Sequence, residues 1–325
     1  MLFEYQSQYS IVNEEEYCTK MDEISQKFKK ISTSGYFASF DGAKMFYEFF
    51  KVKNPKANII VVHGYTEFTK KYYELTWYFL NMGYNVFLYD VRGHGYSARH
   101  SDDTEMTHVD KYEDYAQDLD AYINDIVIPN GDGAPLYLYA HSMGGAIAQL
   151  FLQSSKTPIR KTLLSAPMIY PFTPPLPRFM LKKLLRGEAK KFGWDAKFKF
   201  SSNFNPEVKV EKSNDTSLAR FRYNLNMRIN DLNYRNSYGS NRWNFEAITA
   251  VEKILNKKSA KNVNTELFVI IAGKDTAVNP KYQKKFVNLT KCRYKLFENA
   301  KHSLYTQADR ELKEYVDTVL EFYES

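Results

Sequence analysis

The stretch LYLYAHSMGG, Leu136 to Gly145, decides the fold. Leu136 to Tyr139 are apolar or aromatic and read as a short buried strand, and the run from Gly144 to Leu150 reads as the start of a helix. Ser142 falls at the corner between them. A turn this tight forces the corner residue into a strained backbone conformation, so the residues two before and two after it must be small; here they are Ala140 and Gly144. The corner is expected to hold the Ser142 hydroxyl at the carboxyl edge of a sheet and at a helix N-terminus, where backbone N–H groups can stabilise an oxyanion. A small-x-Ser-x-Gly pattern also arises by chance, so its surroundings carry the decision.

Outward from that corner, strands and helices alternate. Tyr36 to Phe40 and Lys44 to Phe50 flank Asp41-Gly42 as a hairpin. Asn58 to Val62 is an apolar strand that ends at His63-Gly64-Tyr65-Thr66-Glu67, and Lys70 to Met82 follows as a helix. Asn85 to Tyr89 is the next strand, closed by Asp90-Val91-Arg92-Gly93-His94-Gly95-Tyr96-Ser97, and Tyr112 to Ile126 reads as a helix. Beyond the corner, Lys161 to Ser165, Leu267 to Ala272 and Arg293 to Phe297 are strands, and Leu312 to Tyr323 is a closing helix with Tyr315, Val319 and Phe322 on one face. This rhythm predicts an α/β fold with a mostly parallel central sheet and helices on both faces. Gly93-x-Gly95 is not read as a nucleotide site: no third Gly opens a helix, and no acidic residue closes the next strand.

Two segments stand apart from that rhythm. Residues 1–34 form an N-terminal helical segment, with Met21, Ile24 and Phe28 at helical spacing. From Ile169 to Phe245 no apolar strand appears and prolines cluster at Pro171, Pro174, Pro175 and Pro177, so 169–245 is expected to be an inserted cap. The core is then residues 35–168 and 246–325.

A chain of 325 residues with 44% hydrophobic and 16% aromatic side chains is globular. Its two cysteines, Cys18 and Cys292, are too few for a disulfide framework or a metal site, and no metal or organic cofactor is expected. The N-terminus lacks a basic start followed by an apolar run, and no stretch is long enough to span a bilayer, so the expectation is a soluble, cytoplasmic protein. Of the net charge of +7, the cap carries 15 Lys+Arg against 6 Asp+Glu, a local +9 that leaves the remainder at −2. A basic patch can serve nucleic acid, an anionic membrane or plain solvation; with no nucleic-acid module in the chain, no nucleic-acid partner is expected. Within the cap, Leu181, Leu184, Leu185 and Phe192 share one helical face, and Lys182, Lys183, Arg186 and Lys190 lie toward the other. That helix is expected to pack over the mouth of the active site, or to rest peripherally on an anionic membrane. Oligomeric state is left open.

A serine hydroxyl needs a base to accept its proton and an acid to orient that base. Of the eleven acidic residues between Ser142 and His302, only Asp275 directly follows a long apolar strand, which places it at the same sheet edge as Ser142. His302 lies on the loop after the last strand, 27 residues later. The catalytic expectation is therefore Ser142, Asp275 and His302, in the chain order of an α/β-hydrolase. The oxyanion hole is expected from the backbone N–H groups of Tyr65 and Met143, with His63, Gly64, His141 and Gly144 supporting the two loops around the site. No partner is read for His94, His100 or His108.

His63-Gly64-Tyr65-Thr66-Glu67, Asp90 to Ser97, Ala140-His141-Ser142-Met143-Gly144-Gly145 and Ser165-Ala166-Pro167-Met168 together resemble the lysophospholipase and monoacylglycerol lipase group of the α/β-hydrolase superfamily. The likeness extends over roughly residues 35 to 325, including Arg220-Phe221-Arg222-Tyr223-Asn224, and is nearest to bacterial lysophospholipases, whose elbow also begins with Ala. It implies cleavage of the acyl ester of a lysophospholipid or monoacylglycerol through an acyl-enzyme. Serine aminopeptidases and short-chain carboxylesterases share the pattern, and an apolar acyl tunnel in the cap would favour lipids where an acidic cluster would favour peptides. A catalytically silent binding protein on the same fold is the non-enzymatic alternative.

Overall fold

Side chains along the apolar runs alternate in direction, and that alternation builds the two cores of the molecule. The structure, a computed structural model, describes residues 1–154, 157–171 and 177–325; Pro174 and Pro175 of the proline cluster lie outside them. Helix α1 (Tyr17–Ile31) precedes the hairpin of β1 (Thr33–Ala38) and β2 (Lys44–Phe50). Strand β3 (Asn58–Val62) leads through a 3-10 turn, Thr69–Tyr72, into α2 (Tyr73–Asn81). After β4 (Asn85–Tyr89) and the two-residue β5 (Met106–Thr107), α3 (Tyr112–Tyr122) continues through a π turn, Ile123–Val127, into the short α4 (Ile128–Asn130). Strand β6 (Leu136–His141), α5 (Met143–Ser154) and β7 (Ile159–Ser165) form the central crossover. Helices α6 (Arg178–Phe192) and α7 (Leu218–Asn230), the two-residue β8 (Tyr238–Gly239), α8 (Asn241–Ile254) and the short α9 (Lys257–Ala260) come next. Strand β9 (Glu266–Ala272), α10 (Pro280–Thr290), β10 (Arg293–Phe297) and α11 (Asp309–Glu324) complete the chain.

Among the described residues, eight strands form one sheet in the order β1-β2-β4-β3-β6-β7-β9-β10. The β1–β2 and β2–β4 pairs are antiparallel, and every pair from β4 to β10 is parallel. Ile60, Val62, Phe87, Tyr89, Leu138 and Ala140 face α3, α5 and α8 on one side of the sheet. Ile59, Val61, Val86, Leu88 and Tyr139 face α1, α2 and α11 on the other. Burial on both faces is why these strands read as continuous apolar runs. The expected faces of α1 and α11 are the buried ones: Met21, Ile24 and Phe28 in the first, Tyr315, Val319 and Phe322 in the second.

Between β7 and β9 lie mostly helices and loops, with one short ladder: Met106 and Thr107 of β5 pair in parallel with Tyr238 and Gly239 of β8. The expected boundary at residue 245 falls inside α8, whose buried face joins the core beside α5. Among the described residues, helix α6, expected over the mouth of the site, contributes none to the lining of the cavity beside Ser142. Its Leu181 and Leu185 pack with Ile248 of α8 and with Phe198. Phe192, expected on that packed face, is exposed, and Lys182, expected on the free basic face, pairs with Glu252 at 2.8 Å.

Candidate active site

At the end of β6 the chain turns so sharply that Ser142 has φ +51°, in the left-handed region that a residue with a side chain rarely occupies. The turn is fixed by hydrogen bonds across neighbouring strands: Ser142 N–H donates to the Ser165 carbonyl at 3.0 Å, and the Ser142 carbonyl accepts from Met168 at 2.8 Å and Gly145 at 2.9 Å. A Cβ on Gly144 would stand 2.2 Å from the Val62 carbonyl oxygen, so α5 can approach β3 only with glycine there.

Ser142, Asp275 and His302 come together across three loops. Ser142 Oγ lies 2.8 Å from His302 Nε2, and His302 Nδ1 lies 2.7 Å from Asp275 Oδ2. The other Asp275 oxygen accepts the backbone N–H groups of Ala277 at 2.8 Å and Val278 at 2.9 Å, which fixes the carboxylate from its own loop. With a proton on Nδ1, His302 donates to Asp275 and leaves Nε2 free to accept the Ser142 proton. All three side chains are buried.

The loop after β3 brings Tyr65 to the same cavity as Ser142 and His302, and Met143 opens α5 at a helix N-terminus, where the first N–H groups have no intrahelical acceptor. The cavity measures about 250 Å³, and its lining includes Val208, Asp215, Phe221 and Leu225 from the segment between β7 and α8. That lining is neither a purely apolar tunnel nor an acidic cluster.

His63 Nε2 accepts the Val91 N–H at 2.8 Å and Nδ1 donates to the Gly64 carbonyl at 2.8 Å, so a neutral imidazole ties the loop after β3 to the loop after β4. His141 donates to the Ser165 carbonyl at 3.1 Å. Burial pushes His141 down to about 3 and also lowers His63, so neither is protonated at neutral pH.

Sequence reasoning quoted Glu67 within its motif but assigned it no role. Its buried carboxylate accepts the Gly64 N–H at 2.7 Å, the Tyr72 hydroxyl at 2.6 Å, the Tyr305 hydroxyl at 2.5 Å and Lys71 Nζ at 2.8 Å. Burial alone would raise this carboxyl, but the Lys71 ammonium and the hydrogen bonds outweigh it and hold Glu67 well below the usual carboxylate range. Glu67 thereby orients the loop that carries Tyr65. The available signal was the acid–base pair Glu67 and Lys71 four residues apart, which the 3-10 turn Thr69–Tyr72 folds back onto the loop that holds Glu67. His94 also has partners: Nε2 accepts the Thr66 N–H at 3.3 Å, and Nδ1 donates to the Arg92 carbonyl at 3.2 Å. His100 and His108 stack on each other, ring centroids 3.9 Å apart, and neither lines the cavity beside Ser142.

Residues 53–309 match the family described as Hydrolase_4, serine aminopeptidase S33. Lysophospholipase L2 of Escherichia coli (strain K12) is 29% identical over 241 residues, covering 74% of this chain and 70% of the relative. Monoglyceride lipase of Saccharomyces cerevisiae is 31% identical over 117 residues, covering 34% of this chain and 36% of that protein. The crystal structure of a soluble variant of the same yeast lipase, in complex with a substrate analog, shares the fold: TM-score 0.71 at 23% identity, covering 90% of this chain and 94% of that one.

Proposed function

The chain belongs to the serine aminopeptidase S33 family, and from that premise we propose that it hydrolyses the acyl ester of single-chain lipids, lysophospholipids or monoacylglycerols, through an acyl-enzyme on Ser142. The observation that carries this reading is the relay from Ser142 Oγ to His302 to Asp275, at 2.8 and 2.7 Å, on a strained elbow. As Ser142 Oγ attacks the ester carbonyl, His302 Nε2 takes its proton and Asp275 stabilises the imidazolium. The oxyanion meets the N–H groups of Tyr65 and Met143. Collapse expels the alcohol, which takes the proton from His302; water, deprotonated by the same nitrogen, then releases the fatty acid and restores Ser142.

An ester substrate is favoured over a peptide by the relatives named lysophospholipase and monoglyceride lipase. A panel of lysophospholipids, monoacylglycerols, short nitrophenyl esters and amino-acid nitroanilides tests the reading. The single-chain lipid esters should exceed the anilides in kcat/KM by on the order of 100-fold or more, the scale on which a site rejects a substrate it was not shaped for. The reverse order would make it an aminopeptidase.

We place the protein in the cytoplasm, in peripheral contact with an anionic membrane through α6. Supporting this are two unpaired cysteines and a surface that exposes Phe179 (72%), Phe192 (57%) and Phe200 (60%) beside the exposed Lys183, Lys190 and Lys191. Among the described residues, no helix is long and apolar enough to cross a membrane.

A further inference from the structure

Two cations line the catalytic cavity, and only one has a counter-charge. Lys71 is matched by Glu67 at 2.8 Å. Arg228, on α7, is not: its Nε donates to the Tyr234 carbonyl at 3.1 Å, its Nη2 to the Asn236 carbonyl at 2.6 Å, and its guanidinium lies over the Phe204 ring, 4.7 Å from the centroid. Among the described residues no carboxylate forms an ion pair with it, and none accepts a hydrogen bond from Nη1. Burial pulls the guanidinium down to about 10, and Glu105, Glu67 and Asp215 oppose this only at longer range. It remains charged at neutral pH.

A partly desolvated cation without a counter-ion costs free energy, and a carboxylate or phosphate arriving with the ligand would recover it through charge-assisted hydrogen bonds. The same cavity also holds Asp215, whose side chain accepts the Thr306 hydroxyl. A headgroup with a negative charge alone would gain from Arg228 and lose to Asp215. One that carries an anion and an amine satisfies both.

We propose that Arg228 is a specificity-determining residue that receives the phosphodiester of a lysophospholipid, with Asp215 facing the positive end of a zwitterionic phosphoethanolamine or phosphocholine headgroup. The phosphodiester is bonded to the glycerol whose ester meets Ser142, so one cavity lined by Ser142, Arg228 and Asp215 accommodates both ends. The inference rests on ester hydrolysis at Ser142 and adds the choice of the charged lipid over the neutral monoacylglycerol.

The test is the ratio of kcat/KM for lysophosphatidylethanolamine to that for a monoacylglycerol of the same acyl chain, in the wild type and in Arg228→Gln. The ratio should fall about 10- to 100-fold in the variant, the range of a lost hydrogen bond to a charged group. An unchanged ratio, with both substrates losing equally, overturns the assignment and leaves Arg228 as a brace of the 234–236 loop. Should Arg228→Gln not fold, the wild-type protein decides. sn-Glycero-3-phosphoethanolamine should inhibit hydrolysis of a short nitrophenyl ester at least 10-fold more strongly than glycerol, and equal inhibition overturns the proposal. Absence of any nitrophenyl ester hydrolysis by the wild type would instead strike at the ester reading itself.

Discussion

Gly95 shows how a single residue can be required by a neighbour rather than by a ligand. At φ +52°, a Cβ there would sit 1.9 Å from Asp90 Oδ2. The buried Asp90 carboxylate uses that space to accept the N–H groups of Thr69 at 2.8 Å and Tyr96 at 2.9 Å, so it clamps the loops after β3 and β4 together. His94 lies in the same clamp, and burial, with His63 and Arg99 nearby, holds its imidazole well below its ordinary 6.5. The sign follows from proton counting: below pH 6.5 the unfolded chain protonates His94 while the folded chain does not, so this residue removes stability as pH falls. The penalty is about 1.4 kcal/mol per pH unit. That slope is the limit reached well below pH 6.5; between pH 6.5 and 5.5, where the unfolded imidazole is still filling, replacing His94 with Asn should narrow the stability gap to the wild type by about 1 kcal/mol, measured by denaturant unfolding. A gap that stays constant would mean that the folded protein takes up the proton as readily as the unfolded chain. Sequence reasoning named Ser142, Asp275 and His302 because each has a position relative to a strand end. Glu67 and Arg228 escaped it because their significance lies in partners distant in the chain, Tyr305 in one case and the missing counter-charge in the other.

The two long helices between β7 and α8 differ in how they are held. Helix α7 is pinned by Arg220, whose fully buried guanidinium bonds Glu74 of α2 at 2.8 Å, Asp309 of α11 at 2.8 Å and the Val12 carbonyl at 2.8 Å. Breaking such a pair from one side costs several kcal/mol, so α7 is a fixed wall of the cavity. Helix α6 is held mainly by a small apolar cluster and presents its basic face outward. If that face meets an anionic bilayer, changing Lys183, Lys190 and Lys191 together to Gln removes roughly 1 kcal/mol each, or about 100-fold in binding to phosphatidylglycerol vesicles at low salt. Co-sedimentation reads this directly; equal binding to neutral and anionic vesicles, or to neither, would rule the contact out. That α6 is a helix with Leu181, Leu184 and Leu185 on one face was legible, since the spacing of its leucines is local information. Its neighbour was not. Helical spacing says which face is apolar and not what covers it, so the packing of that face on α8 had no signal in the chain.

At the scale of the whole molecule, β3, β6, β7, β9 and β10 lie side by side, so loops far apart in sequence deliver Tyr65, Ser142, Asp275 and His302 to one carboxyl edge. Alternating strands and helices made the parallel sheet legible, because each crossover leaves a continuous apolar run followed by an amphipathic one. The placement of β4 outside β3, and the cavity lining that the 208–215 loop and α7 supply, depend on contacts that no local pattern records. The central claim is that this edge forms a covalent acyl-enzyme at Ser142. It is tested by reacting the purified protein with a fluorophosphonate and mapping the adduct by peptide mass spectrometry. The account predicts a single phosphonyl adduct on the peptide that carries Ser142, and none in a Ser142→Ala protein that unfolds at the same temperature as the wild type. An adduct on another residue, or undiminished labelling of the folded Ser142→Ala protein, would contradict it.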